Sequence, residues 1–269
     1  MKRKLACLLL ALALCVSIGS QTLAIEDTTQ TNSSQTDVAS VAFDGTVADS
    51  YVSLRTVAEG LRPDAWIDWN GSFAAVYADD LTITATPGDS YIVANGRYLY
   101  VPNLVTIQDG NVMAPASVIA KALGATTWYS EEWGRLFIIA GTGTIESGDT
   151  YYRSDDVYWL SHIINAESGN QPLAGKIAVG NVILNRVSDS RFPDTIYEVI
   201  FQKNQFTPAS SGSVNRDPNA DSIIAAKLCL DGAMVLSSAY WFNSVQLTSS
   251  WASTHKTYVA TIGNHNFYG

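Results

Sequence analysis

The feature that most constrains the fold is an internal repeat of 62 residues in the first half of the chain. The matched positions are Val57 and Ile119, Ala58 and Ala120, Leu61 and Leu123, Trp66 and Trp128, Val76 and Ile138, and Ala78 and Ala140. Each copy predicts a short helix (54–61, 115–123), a strand bearing Trp, and a second strand (74–78, 136–140). Two such units can bury a shared core where one could not, so we expect a duplicated α+β domain over residues 41–140.

The first 24 residues have the pattern of a secretory signal peptide. Lys2-Arg3-Lys4 precedes an apolar run over residues 5–18, and Thr22-Leu23-Ala24 supplies small residues at a cleavage site. A polar leader is expected over residues 25–40. Cys7 and Cys15 leave with the signal, so the mature chain keeps one cysteine and forms no internal disulfide. We therefore expect an exported protein that is not transmembrane after cleavage.

Charge is spread unevenly along the chain, which has a net charge of −9. Residues 25–150 carry five Lys and Arg against sixteen Asp and Glu, whereas residues 151–269 carry eight against nine. A basic surface for nucleic acid is not indicated.

Residues 41–140 resemble a known attachment domain. The matching features are the stretch YVSLR at 51–55, AKALG at 120–124, and the strands that carry Trp66 and Trp128. On these features this half is similar to the copper amine oxidase N-terminal-like domain of exported bacterial proteins. That resemblance implies a stalk-like module contacting the wall or another protein, without a copper site. Its tryptophans (66, 69, 128 and 133) could stack on sugars, but core or half-buried strand positions are the favoured expectation.

After a polar linker at 141–154 the pattern changes to helical spacing. The predicted helices span residues 155–167, 173–187, a short segment opened by a capping box at 195–198, and 221–231. The helix over 173–187 is apolar on nearly all sides, which is typical of a helix in the middle of a domain. Residues 155–269 are therefore predicted to form a mainly α, lysozyme-like domain, and the whole chain to be α+β.

Short motifs across residues 157–269 occur in the order and spacing of one enzyme family. They are NAE at 165–167, VILNRV at 182–187, FPDTI at 192–196, QFT at 205–207, the aromatic stretch at 240–243, and GNHNFY at 263–268. On these motifs this half resembles the SleB-type cell wall hydrolases, the catalytic unit of spore cortex-lytic enzymes. Two departures are visible. SGNQ follows Glu167, where the family usually has a small residue followed by Arg-Gly-Glu, and Ser244 follows Asn243, where the family often has Pro.

The resemblance implies an enzyme that cleaves peptidoglycan between N-acetylmuramic acid and N-acetylglucosamine. It also implies a location outside the cell, at the wall or in the spore envelope of a Gram-positive bacterium, and no cofactor or metal.

Glu167 is the residue expected to carry the chemistry. Breaking a glycosidic bond requires a carboxylic acid that stays protonated near neutral pH, which burial beside apolar groups achieves. Glu167 ends one apolar helix and precedes another, whereas Glu198 is explained as a helix cap. No second carboxylate stands out, so a lytic transglycosylase using one Glu is favoured over a mechanism with paired carboxylates.

Polysaccharide binding calls for aromatic platforms and amide or hydroxyl groups. Aromatic candidates for stacking are Phe206, Tyr240, Trp241, Trp251 and Tyr268. The residues expected to bind substrate are Gln205, Phe206, Thr207, Tyr240, Asn243 and His265.

Other classes of protein stay open from the sequence. A zinc amidase or peptidase would use His162, His255 and His265 with Glu167, but no H-E-x-x-H motif occurs. His162 also lies five residues before Glu167, about 140° away around a helix. A cysteine amidase or peptidase would need Cys229, which lies in an apolar helix. A wall-binding protein without catalysis is the remaining alternative.

Overall fold

The computed structural model describes residues 39–45, 47, 49–247 and 249–269. The α+β class predicted from the sequence is confirmed. The predicted signal peptide (1–24) and most of the predicted leader (25–38) lie outside the described residues. Ser40, the last residue of that leader, is the first residue of a strand.

Strands dominate the first half, which contains two short helices, and helices dominate the second. The helices are α1 (Leu54–Leu61), α2 (Ala116–Ala122), α3 (Gly148–Tyr151), α4 (Ser154–Ser168), α5 (Leu173–Val187), α6 (Ile196–Phe201), α7 (Thr207–Ser211), α8 (Ala220–Leu230) and α9 (Trp251–His255). The strands are β1 (Ser40–Asp44), β2 (Tyr51–Ser53), β3 (Trp66–Trp69), β4 (Ala74–Ala78), β5 (Leu81–Ala85), β6 (Tyr91–Ala94), β7 (Arg97–Tyr100), β8 (Thr106–Gln108), β9 (Asn111–Pro115), β10 (Thr126–Ser130), β11 (Arg135–Ile139), β12 (Trp241–Ser244), β13 (Tyr258–Ile262) and β14 (His265–Tyr268).

The chain divides into two compact units. Unit 1 comprises the described residues up to 81 together with 106–145, and unit 2 comprises 82–105 together with 146–269. In unit 1, antiparallel pairing joins β1, β11 and β10, then β2, β9 and β8, and finally the hairpin β3–β4. The repeat predicted from the sequence is present, because the order helix, strand, strand occurs twice, as α1–β3–β4 and again as α2–β10–β11. Its apolar positions are buried, including Val57, Ile119, Val76 and Ile138.

The tryptophans of unit 1 differ from the sequence expectation. Trp66 is 63% exposed and Trp128 is 49% exposed, and the expectation of core or half-buried positions is therefore wrong. Each indole contacts the aromatic ring paired with it across the two strands of a hairpin. Trp66 stacks on Tyr77 at 5.5 Å between ring centroids, and Trp128 contacts Phe137 at 5.2 Å. Cross-strand pairs of this kind stabilise the sheet while the indole stays exposed to solvent.

The core of unit 2 lies between α4, α5 and α8. Helix α5 is buried on most sides, as its composition predicts, and packs against both α4 and α8. Helix α6 begins at the predicted capping box: the Thr195 side chain accepts from the Glu198 amide at 3.2 Å and donates to its carboxylate at 2.9 Å. The four helices place their apolar faces around a common centre.

Residues 82–105 lie in unit 2, although the sequence places them inside a continuous domain at 41–140. They form the antiparallel strands β5 to β7. The β6–β7 hairpin turns at Asn95-Gly96, both with positive φ, as the Asn-Gly signal predicts. This difference has a physical reason: strand β7 makes polar contacts with Tyr152, just after α3, and with Asp231, at the end of α8.

The strongest of these contacts is a buried ion pair. The Arg97 guanidinium donates to both carboxylate oxygens of Asp231, at 2.6 and 3.2 Å. The Tyr152 hydroxyl donates to the same carboxylate at 2.6 Å and accepts from the Tyr98 amide at 2.9 Å. The Tyr151 ring lies 3.4 Å from the Arg97 guanidinium carbon. This cluster joins strand β7, helix α3 and the end of helix α8 into one unit.

The end of the chain forms a three-stranded sheet. Strands β12, β14 and β13 are antiparallel in that order, and Phe242 lies opposite Phe267. The mainly α domain predicted for residues 155–269 thus ends in three strands. The aromatic and β-branched composition after Ala239 fits a half-buried pleated surface.

Within the described residues, no helix is long and apolar enough to cross a membrane.

Removing the Arg97 guanidinium should destabilise unit 2 because it leaves the Asp231 carboxylate buried without its cation. We expect Arg97→Met to lower the free energy of unfolding by about 3–5 kcal/mol. Urea denaturation followed by far-ultraviolet circular dichroism measures this. Arg153→Met is the control, since Arg153 pairs with Asp156 at the surface at 3.5 Å and should lose less than about 1 kcal/mol. Equal losses in the two variants would contradict the role given to the buried pair.

Candidate active site

Helix α4 carries Glu167 on its last turn. Leu160, Ile163 and Ile164 are fully buried on the same helix, and Glu167 follows the two isoleucines by four and three residues. Residues at these spacings share a helix face. The sequence therefore directs the Glu167 side chain toward the edge of the apolar core, where it is half-buried rather than solvated.

The turn after Glu167 is held by a buried lysine. The Lys176 ammonium, on α5, donates to the carbonyl oxygens of Gly169 at 2.9 Å and Gln171 at 2.7 Å, and the residue is 2% exposed. The side-chain amide of Asn219, the N-cap of α8, donates to the same Gly169 oxygen at 2.9 Å. A cation is favoured at this end of α4 because the last carbonyls of a helix carry partial negative charge. These contacts fix the SGNQ segment that departs from the family pattern.

The same turn is tied to the last strand. The Gln171 side-chain oxygen accepts from the Asn264 amide at 2.8 Å. Gly263 has φ +56, and a Cβ there would overlap the Gln171 oxygen, so glycine is needed at this approach. Because Asn264 immediately precedes His265, the end of α4 and the start of β14 are fixed relative to each other.

A groove of about 720 Å³ opens beside Glu167, entirely within unit 2. Its lining contains both aromatic and polar side chains. The lining residues are Glu167, Arg186, Phe192, Asn204, Gln205, Phe206, Thr207, Trp241, Phe242, Asn243, Ser244, Leu247, Trp251, Ala252 and His265.

Glu167 is the only carboxylate among the described residues that line the groove. Burial raises its pKa from 4.5 to about 7, because an ionised carboxylate loses hydration there. In the described part of the chain, no side chain is hydrogen-bonded or ion-paired to it. The group is therefore substantially protonated at neutral pH and free to donate its proton into the groove.

Arg186 contributes a buried cation to the groove wall. It donates to the Tyr240 carbonyl at 2.7 Å and to the Gln205 side-chain oxygen at 3.0 Å, which leaves the Gln205 amide nitrogen to donate elsewhere. Burial lowers the pKa of Arg186 to about 10, so the guanidinium stays charged. Sequence reasoning did not assign it a site role. The signal was present, since an arginine in a mostly apolar, buried helix requires buried polar partners.

The structure brings most of the predicted site residues together. Gln205, Phe206, Thr207, Asn243 and His265 line the groove with Glu167. The stacking candidates Trp241 and Trp251 also line it, with Phe192, which sequence reasoning did not single out for binding.

Tyr240, predicted to bind substrate, is not among the lining residues. Its ring stacks on Phe192 at 5.9 Å, nearly parallel, and Arg191 lies 4.8 Å from its centre. Tyr240 therefore supports the groove through Phe192 instead of facing it. Tyr268, a stacking candidate, is buried and is also absent from the lining.

The residues of the alternative enzyme classes have other partners. The Cys229 thiol is buried, burial raises its pKa, and it donates to the Ile177 carbonyl at 3.5 Å. A buried thiol with a raised pKa is a poor nucleophile. His162 is stacked on Tyr158 with Nδ1 at 2.7 Å from that residue's carbonyl. Among the described residues, no three His, Cys, Asp or Glu side chains form a group that could hold a metal.

Comparison with known proteins confirms both resemblances. Residues 170–268 match the family model described as Cell Wall Hydrolase, and residues 28–138 match the one described as Copper amine oxidase N-terminal domain. The first match begins three residues after Glu167, so the assignment of that residue depends on its geometry.

Curated relatives include spore cortex-lytic enzymes from three bacteria. Those of Bacillus cereus, Oceanobacillus iheyensis and Bacillus subtilis are 33%, 32% and 29% identical over 117 residues, which is 43% of this chain. The chain spans 45%, 42% and 38% of their lengths, respectively. Among solved structures, the catalytic domain of a germination-specific lytic transglycosylase, SleB from Bacillus anthracis, is 27% identical with a TM-score of 0.42. That match covers 46% of this chain and 100% of the solved one.

The raised pKa of Glu167 links stability to pH. Between about pH 4.5 and 7 the folded chain keeps a proton that the unfolded chain has lost, so the stabilising contribution present below pH 4.5 disappears as pH rises through 7. Glu167→Gln lacks this dependence. We expect its free energy of unfolding to exceed that of the wild type by an amount that grows with pH, by about 3 kcal/mol between about pH 4 and 8. Parallel curves of stability against pH for the two proteins would show that the carboxyl group is not perturbed.

Proposed function

We propose that this protein degrades peptidoglycan by cleaving the glycosidic bond between N-acetylmuramic acid and N-acetylglucosamine, as a lytic transglycosylase with Glu167 as its single catalytic residue. The match to the cell wall hydrolase family and the names of the curated relatives support the substrate class. The observation that carries the mechanism is the isolated, half-buried carboxyl group of Glu167 in an open groove.

The reaction uses one carboxyl group twice. Protonated Glu167 donates its hydrogen to the bridging oxygen, and the bond from that oxygen to C1 of the muramic residue breaks. The C6 hydroxyl of the same muramic residue then forms a bond to C1, and its proton passes to the Glu167 carboxylate. One product ends in a 1,6-anhydromuramic residue, and the other ends in the sugar that keeps the bridging oxygen as a hydroxyl. Glu167 is protonated again. Since no water is consumed, a second carboxylate to activate one is not required.

The groove that contains Glu167 also supplies polar and aromatic binding groups. Gln205, oriented by Arg186, presents its amide nitrogen, and Thr207 lies at the start of α7. Phe206 belongs to the apolar wall, 6.3 Å from Phe242. We assign these residues, with Asn243 and His265, to substrate binding. Tyr240 acts indirectly, by supporting Phe192.

The other half of the chain is assigned an attachment role on its match to the copper amine oxidase N-terminal domain. Six exposed aromatic side chains on its two hairpins offer surface for contact with the wall or another protein; they are Trp66, Trp69, Tyr77, Trp128, Tyr129 and Trp133. Together with the predicted signal peptide, this supports export to the wall or spore envelope.

Replacing the acid by its isosteric amide should remove the activity. We expect Glu167→Gln to reduce release of soluble fragments from purified peptidoglycan by about 100-fold or more, because the amide cannot deliver a proton to the leaving oxygen. Mass spectrometry of the wild-type digest should show anhydromuramic ends.

Glu198→Gln is the matched control, since Glu198 is engaged at the start of α6 and does not line the groove. Its activity should equal that of the wild type. Full activity in Glu167→Gln would contradict the catalytic assignment. Free stem peptides in the digest would indicate an amidase instead, and reducing muramic ends would indicate hydrolysis.

A further inference from the structure

Arg186 places a buried positive charge in the wall of the groove. The residue is only 3% exposed and lines the groove together with Glu167. Within the described part of the chain its hydrogen-bond acceptors are two neutral oxygens, and no carboxylate pairs with it. A buried ion without a counter-ion is costly, because it loses hydration and gains no compensating attraction. A cation kept in this state beside an open groove indicates that the ligand supplies the anion.

The guanidinium group itself lies at the groove wall, and not only the aliphatic part of the side chain. Its central carbon is 5.1 Å from the ring centroid of Phe192 and 5.1 Å from that of Phe206, and both rings line the groove. Its Nη1 donates to the side chain of Gln205, which is also a lining residue. Three lining residues therefore hold the charged end of Arg186 in place.

The guanidinium group has hydrogen-bond donors left for a ligand. Of its five N–H groups, one on Nε goes to the Tyr240 carbonyl and one on Nη1 goes to the Gln205 side-chain oxygen, which leaves three. Nη2 forms no hydrogen bond with the described residues, and it is not among their fully buried unpaired atoms. Because Arg186 is almost entirely covered and lines the groove, the groove is where this nitrogen can meet a ligand.

Gln205 adds donors of the same kind. Its side-chain oxygen is occupied by Arg186, so the amide nitrogen is the part of the group left for a ligand. Arg186 and Gln205 together offer N–H donors and one positive charge, but no free acceptor. Their chemical complement is a group with acceptor oxygens and a negative charge, and a carboxylate has both.

The remaining lining of the groove does not neutralise this charge. Glu167 is the only carboxyl group among the described lining residues, and it is neutral when it holds its proton. Burial lowers the pKa of His265, so its imidazole is neutral near pH 7. With Glu167 protonated, the described lining therefore carries a single positive charge, although the whole chain has a net charge of −9.

We propose that Arg186 and Gln205 bind a carboxylate carried by a muramic residue of the substrate. This inference rests on the proposed function in taking the ligand to be peptidoglycan. Muramic acid differs from glucosamine by a lactyl group, whose carboxylate is free where no peptide is attached. Where a stem peptide is attached, the peptide supplies carboxylates of its own. Since muramic residues alternate with glucosamine residues, binding either carboxylate fixes the register of the strand in the groove.

Binding of one hexasaccharide in a charged and a neutral form tests the pair. The full chain carrying Glu167→Gln is titrated by calorimetry at neutral pH with a peptide-free strand of alternating N-acetylglucosamine and N-acetylmuramic acid. It is also titrated with the same strand after its lactyl carboxylates are converted to amides. We expect the charged strand to bind about 10-fold more tightly or better, because hydrogen bonds to an ionised group are the stronger ones. Adding Arg186→Met should abolish this preference.

A second pair of ligands identifies the source of the carboxylate. The same strand carrying stem peptides is compared with its form in which the peptide carboxylates are amides. A preference for the charged form in the peptide-free pair identifies the lactyl group. A preference confined to the peptide-bearing pair, and lost with Arg186→Met, identifies the stem peptide.

Gln205→Glu provides a second variant that keeps the shape of the side chain. It places a carboxylate against Arg186 and removes the amide donor, so it should lose the preference for charged strands. It decides the question if Arg186→Met fails to fold.

Arg191→Met is the matched control. Arg191 also lies beside the Phe192 ring, at 5.7 Å, but it is exposed, pairs with Asp189 at 2.7 Å and does not line the groove. This variant should keep the preference for charged strands.

Three results would each overturn the assignment of Arg186 and Gln205. They are equal affinity for the charged and amidated forms in both pairs of ligands, a preference that survives Arg186→Met or Gln205→Glu, and no binding of either charged strand. Failure of the proposed function has a separate signature. In that case the protein with Glu167 intact releases no anhydromuramic product from peptidoglycan, whatever the binding measurements show.

Discussion

The withdrawal of one carboxyl group from water is the constraint on which the chemistry of this chain depends. Glu167 ends an apolar helix at the edge of a helical core, and burial raises its pKa to about 7 without any partner that would favour the charged form. An ion pair at this position would lower the pKa and remove the proton. The isolation of Glu167 is therefore as important to its proposed role as its burial.

The segment after Glu167 makes that isolation structurally possible. The Lys176 ammonium donates its hydrogen bonds to the carbonyl oxygens of Gly169 and Gln171, beyond the end of α4, and not to the Glu167 carboxyl group. Gln171 then fixes the same turn to Asn264, beside His265. The turn that follows Glu167 and the strand that carries His265 are consequently joined by hydrogen bonds, although nearly one hundred residues separate Glu167 from His265 in the chain.

Features set by local sequence were predictable, and those set by distant pairing were not. Apolar spacing and caps predicted α5 with its observed bounds and placed Glu167 at the end of α4. The family motifs predicted that Gln205 and Asn243 lie near Glu167, and all three residues line the groove. The position of residues 82–105 depends on the Arg97–Asp231 pair, 134 residues apart, and no local pattern encodes it. The exposure of the repeated tryptophans was likewise missed, because alternation does not reveal which face of a hairpin is covered.

The most direct test is the titration of Glu167 itself. Nuclear magnetic resonance of the protein labelled with carbon-13 in the glutamate carboxyl groups would follow each group through the pH range, with Glu167→Gln identifying the signal that disappears. A midpoint near pH 7 is the predicted result, and it would establish a protonated carboxylic acid at neutral pH. A midpoint near 4.5, the ordinary value for a solvated glutamate, would contradict the central claim.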